Sequence, residues 1–139
     1  MTNTQTVAAP TVGEELTPFT RDTGFANWNR YAAVNDEFVP IHMDDEAGRI
    51  AGQSGAFGMG NLQWSYLHNL VRQWAGDNAV ILSMSCQFRK PNTKGTVTAH
   101  GRVTSVDSTE EGTEVGLELW TEDAVGDKMA PGAARVLLR

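Results

Sequence analysis

The sequence predicts an α+β domain in which one long helix is wrapped by an antiparallel sheet of about five strands. Two observations predict it. Helical hydrophobic spacing governs residues 25–76, and strand-like segments divided by turn signals govern 79–139. Helices gathered ahead of strands point to an antiparallel sheet rather than to alternating parallel units. The chain of 139 residues suits one domain. A chain of that size buries roughly two thirds of its unfolded surface, enough for a core without staples.

Residues 1–11 are small and polar and are expected to form a flexible N-terminus, with the domain spanning 12–139. Val12 to Thr20 reads as an opening strand anchored by Leu16 and Phe19. In FANWNRYAAV, Phe25, Trp28 and Tyr31 or Ala32 share a helical face. Pro40 interrupts that helix, and a short one starts near Asp44 with acidic residues in its first turn. Gly52, Gly55, Gly58 and Gly60 then lead into NLQWSYLHNLVRQWAG. There Trp64, Leu67, Val71 and Trp74 step along one face, Leu70 widens it, and Gln63, Asn69, Arg72 and Gln73 lie away from it. Gly76 supplies the stop. Strands are expected in AVILSMSCQFR, TVTAHGRVTSVD, TEVGLELWTED and Ala133 to Leu138. Pro91, Lys94-Gly95, Glu111-Gly112 and Gly126-Asp127 separate them.

Composition narrows the function. Hydrophobic residues make up 40% and charged residues 20%, which excludes a disordered tail and a coiled coil. No apolar run approaches the ~18 residues a membrane helix needs, and the first residues carry no secretory signal pattern. Eleven Lys and Arg against 17 Asp and Glu give a formal charge of -6, which argues against nucleic acid as a partner. A small phosphorylated ligand held by local cations remains compatible. The single cysteine, Cys86, excludes an internal disulfide and a cysteine zinc site, and it reads as a small hydrophobe in a strand. A cytoplasmic setting follows as an expectation.

Chemistry concentrates between Tyr31 and Leu62. Asp36 and Glu37 precede His42 by six and five residues, with an apolar spacer between. Imidazole exchanges protons near neutral pH, and a neighbouring carboxylate orients the ring or shares the transfer. The glycine-rich stretch feeds a helix N-terminus, where unpaired N–H groups stabilise charge developing on a carbonyl oxygen. Acid–base residues facing such donors suit proton chemistry beside a thioester carbonyl. His42 with Asp44, Asp45 and Glu46 lacks the convergence of a metal site, so no metal is expected. His68 and His100 read as structural, and Trp28, Trp64, Trp74 and Trp120 as core or interface anchors.

YAAVNDEFVPIHMD resembles, without a gap, the MaoC-like dehydratases, the (R)-specific enoyl-CoA hydratases of hotdog fold. Their pattern runs Tyr-Ala-x-x-Ser-x-Asp-x-Asn-Pro-Ile-His-x-Asp and later Ala-His-Gly-Met-Leu. Tyr31, Ala32, Phe38, Pro40, Ile41, His42 and Asp44 fall on family positions, and FGMGNL places Gly60 on the oxyanion glycine. Ser65 falls where some members carry an active-site serine. TVGEELTPFTR and FRKPNTKGTVTAHGRVTSV extend the likeness from Val12 to about Val106.

The resemblance implies a hotdog dimer and a hydro-lyase that interconverts trans-2-enoyl and (R)-3-hydroxyacyl thioesters of coenzyme A. It implies Glu37 and His42 as the acid–base pair, with Asp36 as an alternative carboxylate. Gly60, Ser65 and Met59 would surround the thioester, and Arg89, Lys90 and Lys94 would meet coenzyme A phosphates. No cofactor is needed, since coenzyme A is part of the substrate. Three positions depart from the pattern: Glu37 replaces an aspartate, Val39 an asparagine and Met59 a histidine. They fit an altered substrate, or a non-catalytic partner subunit of a heteromeric hydratase. A hotdog acyl-CoA thioesterase is a further alternative.

Overall fold

The computed structural model describes residues 9–139. The flexible N-terminus expected over 1–11 thus lies mostly outside the described residues. In chain order the elements are β1 (Phe19–Thr23), α1 (Phe25–Asn35), a 3-10 turn (Pro40–His42), α2 (Asp45–Ile50), α3 (Gly60–Ala75), β2 (Ala79–Cys86), β3 (Gly95–Thr109), β4 (Gly112–Glu122) and β5 (Gly132–Leu138). The strands form one antiparallel sheet in the order β1-β3-β4-β5-β2. Register shifts between Ile81 and Ser83 and between Val103 and Ser105 bend it. α3 lies across β1, β3 and β4, the hotdog arrangement.

Alternation explains the core. Val97, Ala99 and Val103 of β3, Val115, Leu117 and Leu119 of β4, and Ala134 and Val136 of β5 are all buried. They face Leu62, Tyr66, Leu67, Leu70 and Val71 of α3, and Trp28 and Ala32 of α1 join the same cluster. Among the described residues no helix is long and apolar enough to cross a membrane. Cys86 is half-buried at the end of β2, where burial pushes its thiol pKa up.

Two sequence expectations need correction. The opening strand lies at Phe19–Thr23, not Val12 to Thr20. Residues 13–16 do run beside β3, with Gly13 N–H donating to the Val103 carbonyl at 2.8 Å and Leu16 N–H to the Gly101 carbonyl at 2.9 Å. Pro18 has no N–H to continue a regular ladder. Leu16 and Phe19 are the buried anchors expected, and Leu16 occupies the space left by Gly101, whose Cβ would come 3.0 Å from it.

The buried stripe of α3 is also rotated from the one expected. Leu62, Gln63 and Tyr66 belong to it, whereas Trp64 and Trp74 are only half-buried. Gln63, at 2% exposure, is buried because its carboxamide has partners. Thr121 Oγ1 donates to Gln63 Oε1 at 2.6 Å, and Gln63 Nε2 donates to the Lys90 carbonyl at 3.4 Å. Ala130 N–H in turn donates to Thr121 Oγ1 at 3.1 Å.

Leu67 sits mid-helix with 0% exposure, facing the sheet. Leu67→Ala is expected to lower unfolding free energy by about 2–5 kcal/mol. Urea titration would show it as a lower midpoint at unchanged slope. A loss below about 1 kcal/mol would mean that this face is not the packed core.

Candidate functional site

α1 ends in a left-handed residue. Asp36 has φ 50° and ψ 44°, and both its N–H and that of Glu37 donate to the Ala32 carbonyl, the latter at 3.0 Å. Asp tolerates this conformation better than most side chains. Asp36 therefore has a conformational reason to be where it is. Both are exposed, and neither carboxylate pairs with His42 among the described residues.

Pro40 sets the turn that carries the histidine. His42 N–H donates to the Val39 carbonyl at 3.0 Å, and the Pro40 carbonyl accepts from Met43 and Asp44 N–H. The imidazole is half-buried, edge-on to Phe57, with ring centroids 5.6 Å apart. Its Nδ1 lies 2.5 Å from the Phe57 carbonyl oxygen, and Phe57 N–H donates to the Ile41 carbonyl at 3.1 Å. A carbonyl only accepts, so Nδ1 bears the hydrogen and Nε2 is the basic atom. The sequence signals both segments but not this bond between them.

The glycine loop lies tight against its surroundings. Gly58 N–H donates to the Asn92 carbonyl at 2.7 Å, and a Cβ at Gly58 would sit 2.5 Å from Trp28 Nε1. Gly48 packs directly on the Gly55 carbonyl. α3 then starts at Gly60 behind buried Met59, with no side-chain cap on its first turn. Uncapped N–H groups at a helix start carry partial positive charge. A Cβ at Gly60 would meet the Phe88 ring at 2.7 Å, and that ring is 53% exposed. One turn on, half-exposed Ser65 donates its hydroxyl to the Asn61 carbonyl at 3.0 Å.

The expected phosphate-binding cations all have internal partners. Arg89 donates to Gln87 Oε1 at 3.0 and 2.8 Å. Lys90 donates to Asp123 at 2.7 Å and Asp127 at 2.9 Å, raising its own pKa and lowering that of Asp123. Lys94 donates to Asp45 at 2.7 Å and sits 4.1 Å over the Phe25 ring. With Arg49, Ser54 and Thr93, Asp45 and Lys94 line a polar pocket of about 220 Å³. His68 Nδ1 donates to the Trp64 carbonyl at 2.9 Å, and His100 pairs with Glu122 at 3.2 Å and stacks on Trp120.

The structure thus bonds His42 to Phe57, which stands three residues ahead of the Gly60 helix start. Among the described residues it brings neither the Asp36 nor the Glu37 carboxylate into a bond with them. Asp45 and Phe88 were missed in the sequence as parts of the site. Each acts on a residue distant in the chain, and no local spacing signals that.

No protein-family model matches the chain, and no curated protein matches it by sequence. Solved structures do. The (R)-hydratase from A. caviae involved in PHA biosynthesis superposes with a TM-score of 0.83 at 24% identity, covering 96% of this chain and all (100%) of that one. The ChsH1–ChsH2 complex from Mycobacterium tuberculosis gives 0.80 at 21% identity, covering 93% of this chain and 98% of that one. A MaoC-like dehydratase from Rhodospirillum rubrum gives 0.78 at 17% identity, covering 94% of each chain. The likeness establishes the hotdog fold that the sequence resemblance implied.

The Lys94 ammonium beside Asp45, helped by the Ala56 N–H, holds the Asp45 carboxyl below its usual range. A carboxyl with a lowered folded pKa contributes stability above its unfolded pKa, about 3.9, and loses it as pH falls through the folded value. Asp45→Asn is therefore expected to destabilise the protein at pH 7 and to converge with wild type as pH falls through the lowered folded value. Thermal melts across pH test this. An equal deficit at every pH would contradict it.

Proposed function

We propose that this protein is a hydro-lyase that interconverts trans-2-enoyl thioesters of coenzyme A and their (R)-3-hydroxyacyl counterparts. The observation that carries the reading is the His42–Phe57 bond. It ties the ring, with Nε2 as its basic atom, to a carbonyl three residues ahead of a helix start whose N–H groups carry no side-chain cap. The (R)-hydratase and MaoC-like dehydratase structures that share this fold support a hydratase or dehydratase reaction, and the sequence resemblance suggests the thioester substrate.

In that reading the Gly60 N–H binds the thioester oxygen and withdraws density from the β carbon. Water sits between His42 Nε2 and the Glu37 carboxylate. One of the two takes a proton as the water oxygen adds to the β carbon, and the other returns a proton to the α carbon. The pair ends with the proton count it began with. Free sites of this kind are often loose and tighten only with substrate, which fits the unpaired Glu37. The chain's residues complete this chemistry without a cofactor, in a cytoplasmic setting where acyl thioesters of coenzyme A occur.

The sheet edges support assembly. Among the described residues β2 is an outer strand with unpaired main-chain groups on one side, and Leu82 on it and Phe88 beyond it are exposed apolar residues. Pairing of β2 with a second copy would extend the sheet and cover both. A second reading, a subunit that works beside a different hotdog chain, is favoured by Val39 and Met59 in place of polar family residues. Likeness to a chain of the ChsH1–ChsH2 complex supports it too. Light scattering of the purified protein is expected to give twice the 15.1 kDa chain mass. A monomer that assembles only with a second hotdog chain would favour the heteromer.

Hydration of crotonyl-CoA and of bulkier enoyl-CoAs, followed by loss of enoyl absorbance, tests the activity. His42→Ala is expected to lower kcat by about 10²- to 10⁴-fold. Glu37→Gln should fall alongside it while Asp36→Asn stays near wild type. Wild-type rates no better than those of His42→Ala would remove the enzyme reading. Loss in Asp36→Asn alone would move the carboxylate role to Asp36.

A further inference from the structure

The geometry points to Asp45 as a positioning residue for this site, an inference that rests on the hydratase reading for its kinetic consequence only. Asp45 Oδ1 accepts from the Ala56 N–H at 3.0 Å and from Lys94 Nζ at 2.7 Å, and Oδ2 accepts from Lys94 Nζ at 2.8 Å. Ala56 directly precedes Phe57, and Asp45 follows His42 by three residues. The same two segments are therefore joined by three rungs: Ile41 to Phe57, His42 to Phe57, and Asp45 to Ala56. Lys94 anchors the third rung to the residue preceding β3, and Phe57 itself bridges to Thr93. Gly55 belongs to the clamp, because a Cβ there would stand 2.7 Å from Asp45 Oδ1.

The physical need is specific. An imidazole that exchanges protons during turnover is a poor sole tether for its own backbone. Asp45 carries that load through a charge-assisted bond, leaving the Nδ1–H bond of His42 to set ring orientation. Asp45 touches neither reacting atoms nor the Gly60 N–H. It acts on catalysis through the spacing between them, where displacements near 1 Å can cost about a hundredfold in rate.

The experiment uses the full chain and three variants, Asp45→Ala, Asp45→Asn and Lys94→Met. Steady-state hydration of crotonyl-CoA is combined with ¹⁵N NMR of the His42 ring. Asp45→Ala is expected to lower kcat about tenfold or more with little change in KM. It should also turn a single Nδ1–H tautomer into a mixture. Asp45→Asn keeps an oxygen that accepts from Ala56 N–H, so it should recover most of kcat and the single tautomer. Lys94→Met should fall between the two.

An Asp45→Ala protein with wild-type kcat and an unchanged ring spectrum would overturn the inference. If the wild type hydrates no thioester, the hydratase reading fails while the ring spectrum still decides whether Asp45 positions His42. If Asp45→Ala does not fold, Lys94→Met decides: altered His42 ring signals support the clamp, and unaltered ones overturn it.

Discussion

The Nδ1–H of His42 donates to the main-chain carbonyl of Phe57, and this bond ties an imidazole to the backbone segment that leads into α3, the longest helix. Because a carbonyl has no hydrogen to give, the ring's tautomer is decided by the backbone rather than by solvent. The rest of the site is arranged around that fact. Pro40 makes the turn that aims the ring, the glycines let Gly48, Gly55 and Gly58 lie within contact of neighbouring backbone and side chains, and Gly60 opens α3. Loss of the bond would free the ring to adopt either tautomer, while the Ile41–Phe57 and Asp45–Ala56 bonds still join the two segments.

The scaffold explains why so short a site can be rigid. β3 and β4 are long partners, and their inward residues bury α3 along its length. The head of α3 is then fixed from behind by Gln63, whose carboxamide links Thr121 of β4 to the Lys90 carbonyl. Lys90 follows Phe88 by two residues, so the same network sets the ring that lies over Gly60. The core and the polar site thus share one helix, and a shift of α3 against the sheet would be felt at both ends. Phe88 packs against Gly60 yet leaves about half its surface exposed.

Most of the fold was legible because its signals are local. Period-two alternation marked β3 and β4 to within two residues, and the apolar face of FANWNRYAAV marked α1. Failures came where a distant partner reversed a local preference. Gln63 reads as solvent-facing until Thr121 satisfies it, and Val12 to Thr20 reads as one strand until Pro18 breaks its ladder. The site followed the same rule. His42, Glu37 and Gly60 were readable as motif positions. The Lys94–Asp45 clamp joins residues 49 positions apart, and the Phe88–Gly60 contact joins residues 28 apart, so neither leaves a spacing to read. Arg89 and Lys90 were chosen for their charge, and folding gave Lys90 two carboxylates and Arg89 a carboxamide that composition cannot reveal.

The proposed chemistry requires the thioester oxygen to bind at the head of α3 while the reacting carbons face His42. A crystal structure of the His42→Ala variant with crotonyl-CoA measures this directly. The account predicts the thioester oxygen at about 2.7–3.1 Å from the Gly60 nitrogen, with the Phe88 ring moved aside. A thioester bound elsewhere, with Phe88 still packed on Gly60, would contradict it.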